Sequence, residues 1–508
     1  MKIAVMRERV GGEPRVAATP ETIAKLIGFG ATVSVEKGAG EASRILDQFY
    51  TDAGAKVEAS AAAAVKGADV VLAVRRPEAS ALAGAAKGAL VLATADPFGN
   101  EAALAALAKA GVSIFAMELM PRITRAQVMD ILSSQANLAG YQAVIEASMV
   151  YDRALPMMMT AAGTVRAAKV FVMGAGVAGL QAIATAKRLG AAVSATDVRA
   201  AAGEQVESLG AKFIMTEALK DASGTGGYAR ELTKDEQAAQ AELVSGHIAK
   251  QDIVVTTALI PGRPAPKLIT KAMVESMAPG SVLVDLAAER GGNIELTVPG
   301  QTIVHKDVTI IGLLNLQGKI AATASQLYSK NLLAFLETMI DKDAKGLKVD
   351  WEDELVKGTL LTRDGAVVHP NFAGAADAAP ADKKAPAKAT AKAPAKTAAT
   401  GKTAATKAAP KAESKPTAKT GASGKGRAAK VATAGAVSVP AEDKPVAKPA
   451  AKSAAAKSAP AGTSAPKAPA TKKPATKTAA ARKPAAKSTA AKKPAAKNPA
   501  AKKTDGDV

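Results

Sequence analysis

Short apolar runs alternate with amphipathic stretches along the first 120 residues. The runs Lys2–Met6, Thr32–Glu36, Val70–Val74, Leu90–Ala93 and Val112–Met117 have strand length, while Pro20–Gly28 and Glu101–Ala110 have helical spacing. Thr19 is placed as N-cap and Pro20 as the first helical residue of the earlier helix. The rhythm resumes at Lys169–Val172, Ala192–Thr196, Ala211–Ile214, Asp252–Thr256, Ser281–Asp285 and Thr309–Ile311. Strands separated by helices predict parallel sheets, and two such sets predict two doubly wound α/β domains flanking a cleft. Between them a helical pattern runs unbroken from Thr124 to about Val150, with Ile131, Leu138 and Ile145 on one face. It is expected to join the domains and line the cleft. A later pattern, Ala321–Ile340, carries Leu327, Leu332, Phe335 and Met339 and is expected to return to the first domain. The expected division is therefore 1–135 completed by 318–372, then 136–317, then a tail from 373 to 508.

The stretch KVFVMGAGVAGLQAIATAKRLGAAVSATDVR at the start of the second set reads as strand, glycine turn, helix, strand and terminal acid. This is the Rossmann-like unit that holds a dinucleotide. Gly174 permits the tight turn, Gly176 lets the backbone approach a pyrophosphate, and Gly179 lets the helix opening near Val177 pack on the sheet. The helix N-terminus faces the phosphates. Asp197 stands where an acid accepts hydrogen bonds from the adenosine ribose and repels a 2′-phosphate, which favours NAD(H). Arg199, two residues on, could accommodate that phosphate.

MPRITRAQVMDILSSQ places Arg122, Gln127, Asp130 and two serines at the start of the linking helix. If the helix is continuous, Gln127 and Asp130 share a face and Arg122 reaches forward to them. The cluster could bind the amide and ribose of a nicotinamide. Alternatively, Thr124 and Gln127 form a capping box and Arg122 with Asp130 a surface ion pair.

Charge separates the tail from the rest. The chain is +21 overall, yet Ala373–Val508 contains 29 basic and 7 acidic residues, leaving residues 1–372 at −1. No aromatic residue follows Phe372, so the tail lacks the apolar groups that offset ordering entropy and is expected to be disordered. Its Lys-Pro pairs at 473, 483 and 493 resemble the tails of linker histones and bacterial histone-like proteins. Contact with nucleic acid, with an anionic membrane surface, or with no partner at all remain as readings. A gel shift with nonspecific duplex beside vesicle binding ranks them; no binding by the isolated tail at low salt leaves the last. The absence of cysteine excludes disulfides and thiolate chemistry. His247, His305 and His369 lack ligand spacing, so no metal is expected. Without a signal peptide or a run near ~20 apolar residues, the chain is expected to be soluble and cytoplasmic.

MELMPRITRAQVMDILSSQANLAGYQAV, the glycine-turn unit, TTALIPGRPAP and GSVLVDLAAERGGNIE together resemble the soluble NAD(H)-binding component of proton-translocating NAD(P) transhydrogenase, from Met1 to about Pro370. The opening MKIAVMRERVGGEPRVAATP is shared more widely, with alanine dehydrogenase and its relatives. The resemblance implies hydride transfer between bound NAD(H) and NADP(H) carried by a partner domain, of the Si-specific, proton-translocating type. It implies membrane-spanning and NADP-binding partner subunits, a homodimer, and a peripheral place on the cytoplasmic face of the inner membrane. It assigns Arg122, Gln127, Asp130, Ser133 and Tyr228 to the catalytic end, with Ile123, Thr124, Val128 and Met129 beside them. The adenosine half falls to Asp197, Val198 and Arg199, with Gly227 and Leu259 also at the nucleotide. Helical angles alone favour Ser134 over Ser133. Gly226-Gly227-Tyr228 resembles the tip of the family's mobile loop, and Asp221–Gln237 has the composition of a hinged lid.

The departures matter as much. Where alanine dehydrogenases use a lysine and a histidine on the first domain, this chain matches Arg75 and Thr94, neither of which can shuttle a proton near neutrality. Arg15 resembles the substrate-carboxylate arginine and is expected to be structural. An amino-acid dehydrogenase and a nucleic-acid-binding protein with a vestigial nucleotide domain are the competing readings.

Overall fold

A computed structural model describes residues 1–216, 233–260 and 262–373. The basic tail and the Gly226-Gly227-Tyr228 loop tip lie outside these residues.

The first sheet is built from β1 (Lys2–Val5), β2 (Thr32–Glu36), β3 (Lys56–Glu58), β4 (Val70–Arg75), β5 (Leu90–Thr94) and β6 (Ser113–Ala116). It is all parallel, in the order β3-β2-β1-β4-β5-β6. The strands alternate with α1 (Pro20–Gly28), α2 (Asp47–Asp52), α3 (Ala61–Val65) and α4 (Glu101–Lys109). Thr19 caps α1 in a capping box with Thr22, and Pro20 opens the helix. Because successive side chains point to opposite faces, Val5, Val70, Leu72 and Leu92 enter one core with Ile23 and Leu26 of α1. Ala4, Val71, Val91 and Ile114 enter another with Leu104 and Leu107 of α4.

A small exposed hairpin, β7 (Met158–Thr160) and β8 (Gly163–Val165), precedes the second sheet. The strands of that sheet are β9 (Lys169–Met173), β10 (Ala192–Thr196), β11 (Lys212–Phe213), β12 (Ile253–Thr256), β13 (Val282–Asp285), β14 (Thr302–His305) and β15 (Val308–Ile311). They run in the order β11-β10-β9-β12-β13-β15-β14, with only β14 antiparallel. Among the helices on one face are α5 (Ile131–Val150) and α6 (Val177–Arg188). Between β10 and β11 the chain forms α7 (Ala202–Ser208), and on the other face lie α8 (Lys234–Ile248) and α9 (Lys271–Glu275). The six leading strands of each sheet follow the 3-2-1-4-5-6 order of a dinucleotide-binding fold, which puts a ligand crevice at the strand C-termini where the order reverses. Each sheet therefore has one.

The chain then returns. Tyr328, Leu332, Phe335 and Leu336 of α10 (Ala321–Glu337) are buried in the first core beside Val5 and Leu72.

Three expectations are corrected. The helix expected from Thr124 to Val150 is two pieces, a 3-10 segment Thr124–Met129 and α5, broken at Asp130, whose φ of −74° and ψ of 96° are extended. Of the Ile131-Leu138-Ile145 stripe only Ile131 is buried; farther along, the buried residues include Gly140, Ala143, Val144 and Ala147, small residues that allow a close helix neighbour. That neighbour is α6: a Cβ on Gly140 would stand 2.0 Å from the Ala178 carbonyl oxygen. Finally, the last residues of the expected lid are helical, since Thr233 and Glu236 form a capping box that starts α8.

Candidate functional site

The glycine turn after β9 has the geometry its spacing requires. Gly174 has φ +101°, a left-handed conformation that favours glycine, and a Cβ there would meet Thr257 Oγ1 at 2.4 Å. At Gly179 a Cβ would lie 1.8 Å from the Gly174 carbonyl oxygen, so α6 packs on the turn through bare backbone. Gly176, the N-cap of α6, has nothing within 4 Å of its Cβ position. One glycine thus faces Thr257, one the turn and one open space, and the open one adjoins the helix N-terminus whose N–H groups suit a pyrophosphate. Val177, first in α6, is 40% exposed.

Asp197 closes the other side. It follows β10, is buried, and accepts a 2.7 Å bond from the Ala175 N–H on Oδ2. Burial would raise its carboxyl, but hydrogen bonds from Arg199 and from the Ala175 and Arg199 backbone outweigh this and hold it below its ordinary value. Val198 and Arg199 are half-buried beside it. Leu259, beyond β12, is exposed.

The polar cluster forms by capping rather than by helical phase. With the chain extended at Asp130, its side chain caps α5: the Ser133 N–H donates to Oδ1 at 2.9 Å and the Ser133 hydroxyl to Oδ2 at 2.5 Å. A side-chain oxygen here accepts from the N–H groups that the first helical turn leaves unpaired. The Ser134 hydroxyl instead bonds Asn331 of α10 at 2.7 Å, so the hydroxyl that meets the Asp130 carboxylate is that of Ser133. Arg122, Thr124, Gln127 and Val128 are exposed, Ile123 is half-buried against the first core, and Met129 is buried in it. Met129 can therefore offer a ligand only its backbone. The alternative Thr124–Gln127 capping box does not form, since the 3-10 N-cap is Ile123.

A single helix joins these two ends. Asn137 donates to Gln181 at 3.4 Å and Gly140 lies on Ala178, so α5 and α6 touch in antiparallel fashion. The first turn of α6 therefore sits beside Gly140, about 14 Å of helix rise from Ile131.

At the strand ends of the first sheet, side chains bond to the loop backbone and to one another. Glu8 accepts from the Val74 and Arg75 N–H groups at 2.6 and 3.2 Å, and Glu118 from those of Ala95 and Asp96 at 3.1 and 2.5 Å. Burial pushes Glu8 up to about 7 and also raises Glu118. Beside them the Arg15 guanidinium donates twice to Glu13, at 2.7 Å each, and once to Gln135 at 2.8 Å, while Arg75 reaches Glu13 at 2.8 Å. Burial alone would raise Glu13, but the two guanidinium groups hold it at about 2. Thr94 contacts the Tyr328 hydroxyl. Arg15 is committed within the chain, as a structural role requires. The sequence reading missed Glu8, Glu13 and Glu118; an acid just beyond a strand's last residues was the available signal.

The lobes also meet directly. Arg290 pairs with Asp96, and Asn315 donates to the Gly12 carbonyl at 3.1 Å and to Glu13 at 3.3 Å. A cavity of about 340 Å³ lies there, lined by Phe98, Gly99, Gly262, Arg263, Pro264, Glu289 and Arg290. None of these was assigned to the nucleotide, and the glycine turn and Asp197 carry the stronger chemical case. The histidines have structural partners: His247 bonds Ser194 at 2.9 Å, His305 bonds Glu275 at 2.8 Å, and His369 packs near Phe372. Among the described residues no helix is long and apolar enough to cross a membrane.

Known proteins are similar to this chain. The N-terminal domain of alanine dehydrogenase/PNT matches residues 4–139, and the C-terminal domain matches residues 143–370. An NAD(P) transhydrogenase subunit alpha of Rhodospirillum rubrum is 54% identical over 381 residues, covering 74% of this chain and 99% of that protein. The crystal structure of transhydrogenase from Sinorhizobium meliloti has 60% sequence identity and a TM-score of 0.66, covering 72% of this chain and all of that one. An L-alanine dehydrogenase structure is also similar, at 26% identity and a TM-score of 0.60, over 73% of this chain and 98% of its own. The chain belongs to the alanine dehydrogenase/PNT family and, within it, groups with the NAD(P) transhydrogenase alpha subunits.

Proposed function

We propose that this chain is the NAD(H)-binding catalytic component of a proton-translocating transhydrogenase, which exchanges hydride with NADP(H) held on a partner polypeptide. The observation that carries the reading is the pairing of an open glycine turn with a polar cap one helix away, beside first-sheet strand ends where Glu8, Glu13, Arg15 and Arg75 are bonded within the chain. Gly176 and the first turn of α6 would bind the pyrophosphate, Asp197 the adenosine ribose, and the Asp130–Ser133 cap with Arg122 and Gln127 would orient the nicotinamide end. Bound NADH supplies the hydride.

Hydride passing between two nicotinamide rings requires approach, orientation and exclusion of water rather than a general base. Arg75, fixed to Glu13, holds its proton across the physiological range and cannot deprotonate an amino acid. This disfavours the dehydrogenase reading. The exposed Val128, Leu132, Val177 and Leu259 suit the approach of a partner domain to the site's rim. Mixing the purified chain with the NADP-binding domain of a transhydrogenase should give NADH-dependent reduction of NADP, and alanine with NAD should give none. Alanine-dependent NADH formation without transhydrogenation overturns the proposal.

A further inference from the structure

The environment of Asp197 contains a competitor for the ribose. A carboxylate offers about four lone-pair sites to hydrogen-bond donors. Four N–H groups already reach this one: Ala175 N on Oδ2 at 2.7 Å, Arg199 N on Oδ1 at 2.9 Å, Arg199 Nε on Oδ1 at 2.9 Å and Arg199 Nη2 on Oδ2 at 3.0 Å. Two of the four are backbone donors fixed by the glycine turn and by the bend after β10. The other two belong to a rotatable side chain that is 24% exposed, against 7% for Asp197. A ribose diol, which must donate to Asp197, can reach it only where the guanidinium now sits.

We infer that Arg199 is a displaceable internal ligand of Asp197, which the adenosine ribose must replace and which then admits a 2′-phosphate. This rests on the assignment of Asp197 to the ribose made above. In the empty chain the fork-like pair keeps a buried carboxylate satisfied. When the diol takes its place, the cation stays tethered two residues away, beside the 2′ position. There it offsets the charge with which Asp197 alone would repel a 2′-phosphate. Arg199 therefore lowers affinity for the unphosphorylated nucleotide and narrows discrimination against the phosphorylated one.

The test is calorimetric titration of the full chain with AMP and with adenosine 2′,5′-bisphosphate, for wild type, Arg199→Ala and Arg199→Lys. Removing a partly exposed ion-pair partner should tighten AMP by about two- to fivefold in Arg199→Ala. Losing the charged donor should weaken the bisphosphate at least about tenfold. Opposite shifts for two ligands of one site are not produced by a structural defect, which would weaken both. Arg199→Lys keeps the charge but not the fork, so it should retain bisphosphate binding and stands in if the alanine variant misfolds. AMP weakening in Arg199→Ala, or equal losses for both ligands, overturns the inference while leaving the site intact. Wild-type chain that binds neither AMP nor NADH overturns the nucleotide site itself.

Discussion

Gly179→Ala should abolish measurable NADH binding and lower the melting temperature of the chain. The added methyl would stand 1.8 Å from the carbonyl oxygen and 2.8 Å from the carbonyl carbon of Gly174, backbone atoms held in the turn. Neither can yield by a rotamer change, so α6 must lift off the sheet. Overpacking of this kind costs about 3 kcal/mol or more. Moving the helix N-terminus away from the phosphates should reduce NADH affinity by at least about a hundredfold, equivalent to roughly 3 kcal/mol. Gly176→Ala is the internal control. Its φ of −78° suits alanine and no atom lies within 4 Å of the new methyl, so the melt should be unchanged while NADH binding falls, because the methyl occupies the phosphate's approach. Calorimetry and thermal melts on both variants decide the matter. Undiminished NADH binding by Gly179→Ala would mean that the turn serves only the fold.

Asp130→Asn should slow hydride transfer far more than it weakens NADH. Asparagine is as good an N-cap as aspartate, so α5 should keep its start and the Ser133 N–H its acceptor. The amide cannot replace the second carboxylate oxygen, to which the Ser133 hydroxyl donates at 2.5 Å, and that hydroxyl must turn. Small errors in presenting a reacting group have large kinetic consequences, so single-turnover transfer should fall by about a hundredfold. The dissociation constant, governed mainly by the distant phosphates and adenosine, should change by less than about threefold. A large rise in that constant with full turnover at saturation would falsify the orienting role of the cap.

The parts of this fold visible in the sequence were those fixed by local rules. Strands such as Val70–Arg75 and Lys169–Met173 are buried on both faces and read as unbroken apolar runs. The glycine turn was legible because each glycine answers a separate steric demand. Less visible were elements fixed by long-range contact. Edge strand β3, Lys56–Glu58, has one apolar residue in three, and β14 joins β15 through Lys306 and Asp307, both at positive φ without a glycine to announce the turn. The break at Asp130 was hidden because Ala126 and Met129 continue the helical spacing while serving the first core. For the same reason Ser133 was assigned through family likeness and not through periodicity, and its bonds to Asp130 were not foreseen. For the carboxylates at the first sheet's strand ends the only local signal was an acid just past a strand, because Glu8 finds its donors 66 and 67 residues away.

Helix α5 is embedded at one end in the first core through Ile131 and at the other in the second through Ala143, Val144 and Ala147. It thereby acts as a ruler. The gap between the Asp130 cap and the glycine turn is set by helix pitch and not by any loop. One residue added between Ser133 and Gly140 would swing the cap by about 100° and shift it by roughly 1.5 Å. Length changes can accumulate in surface connections, whereas this stretch must keep its count of residues.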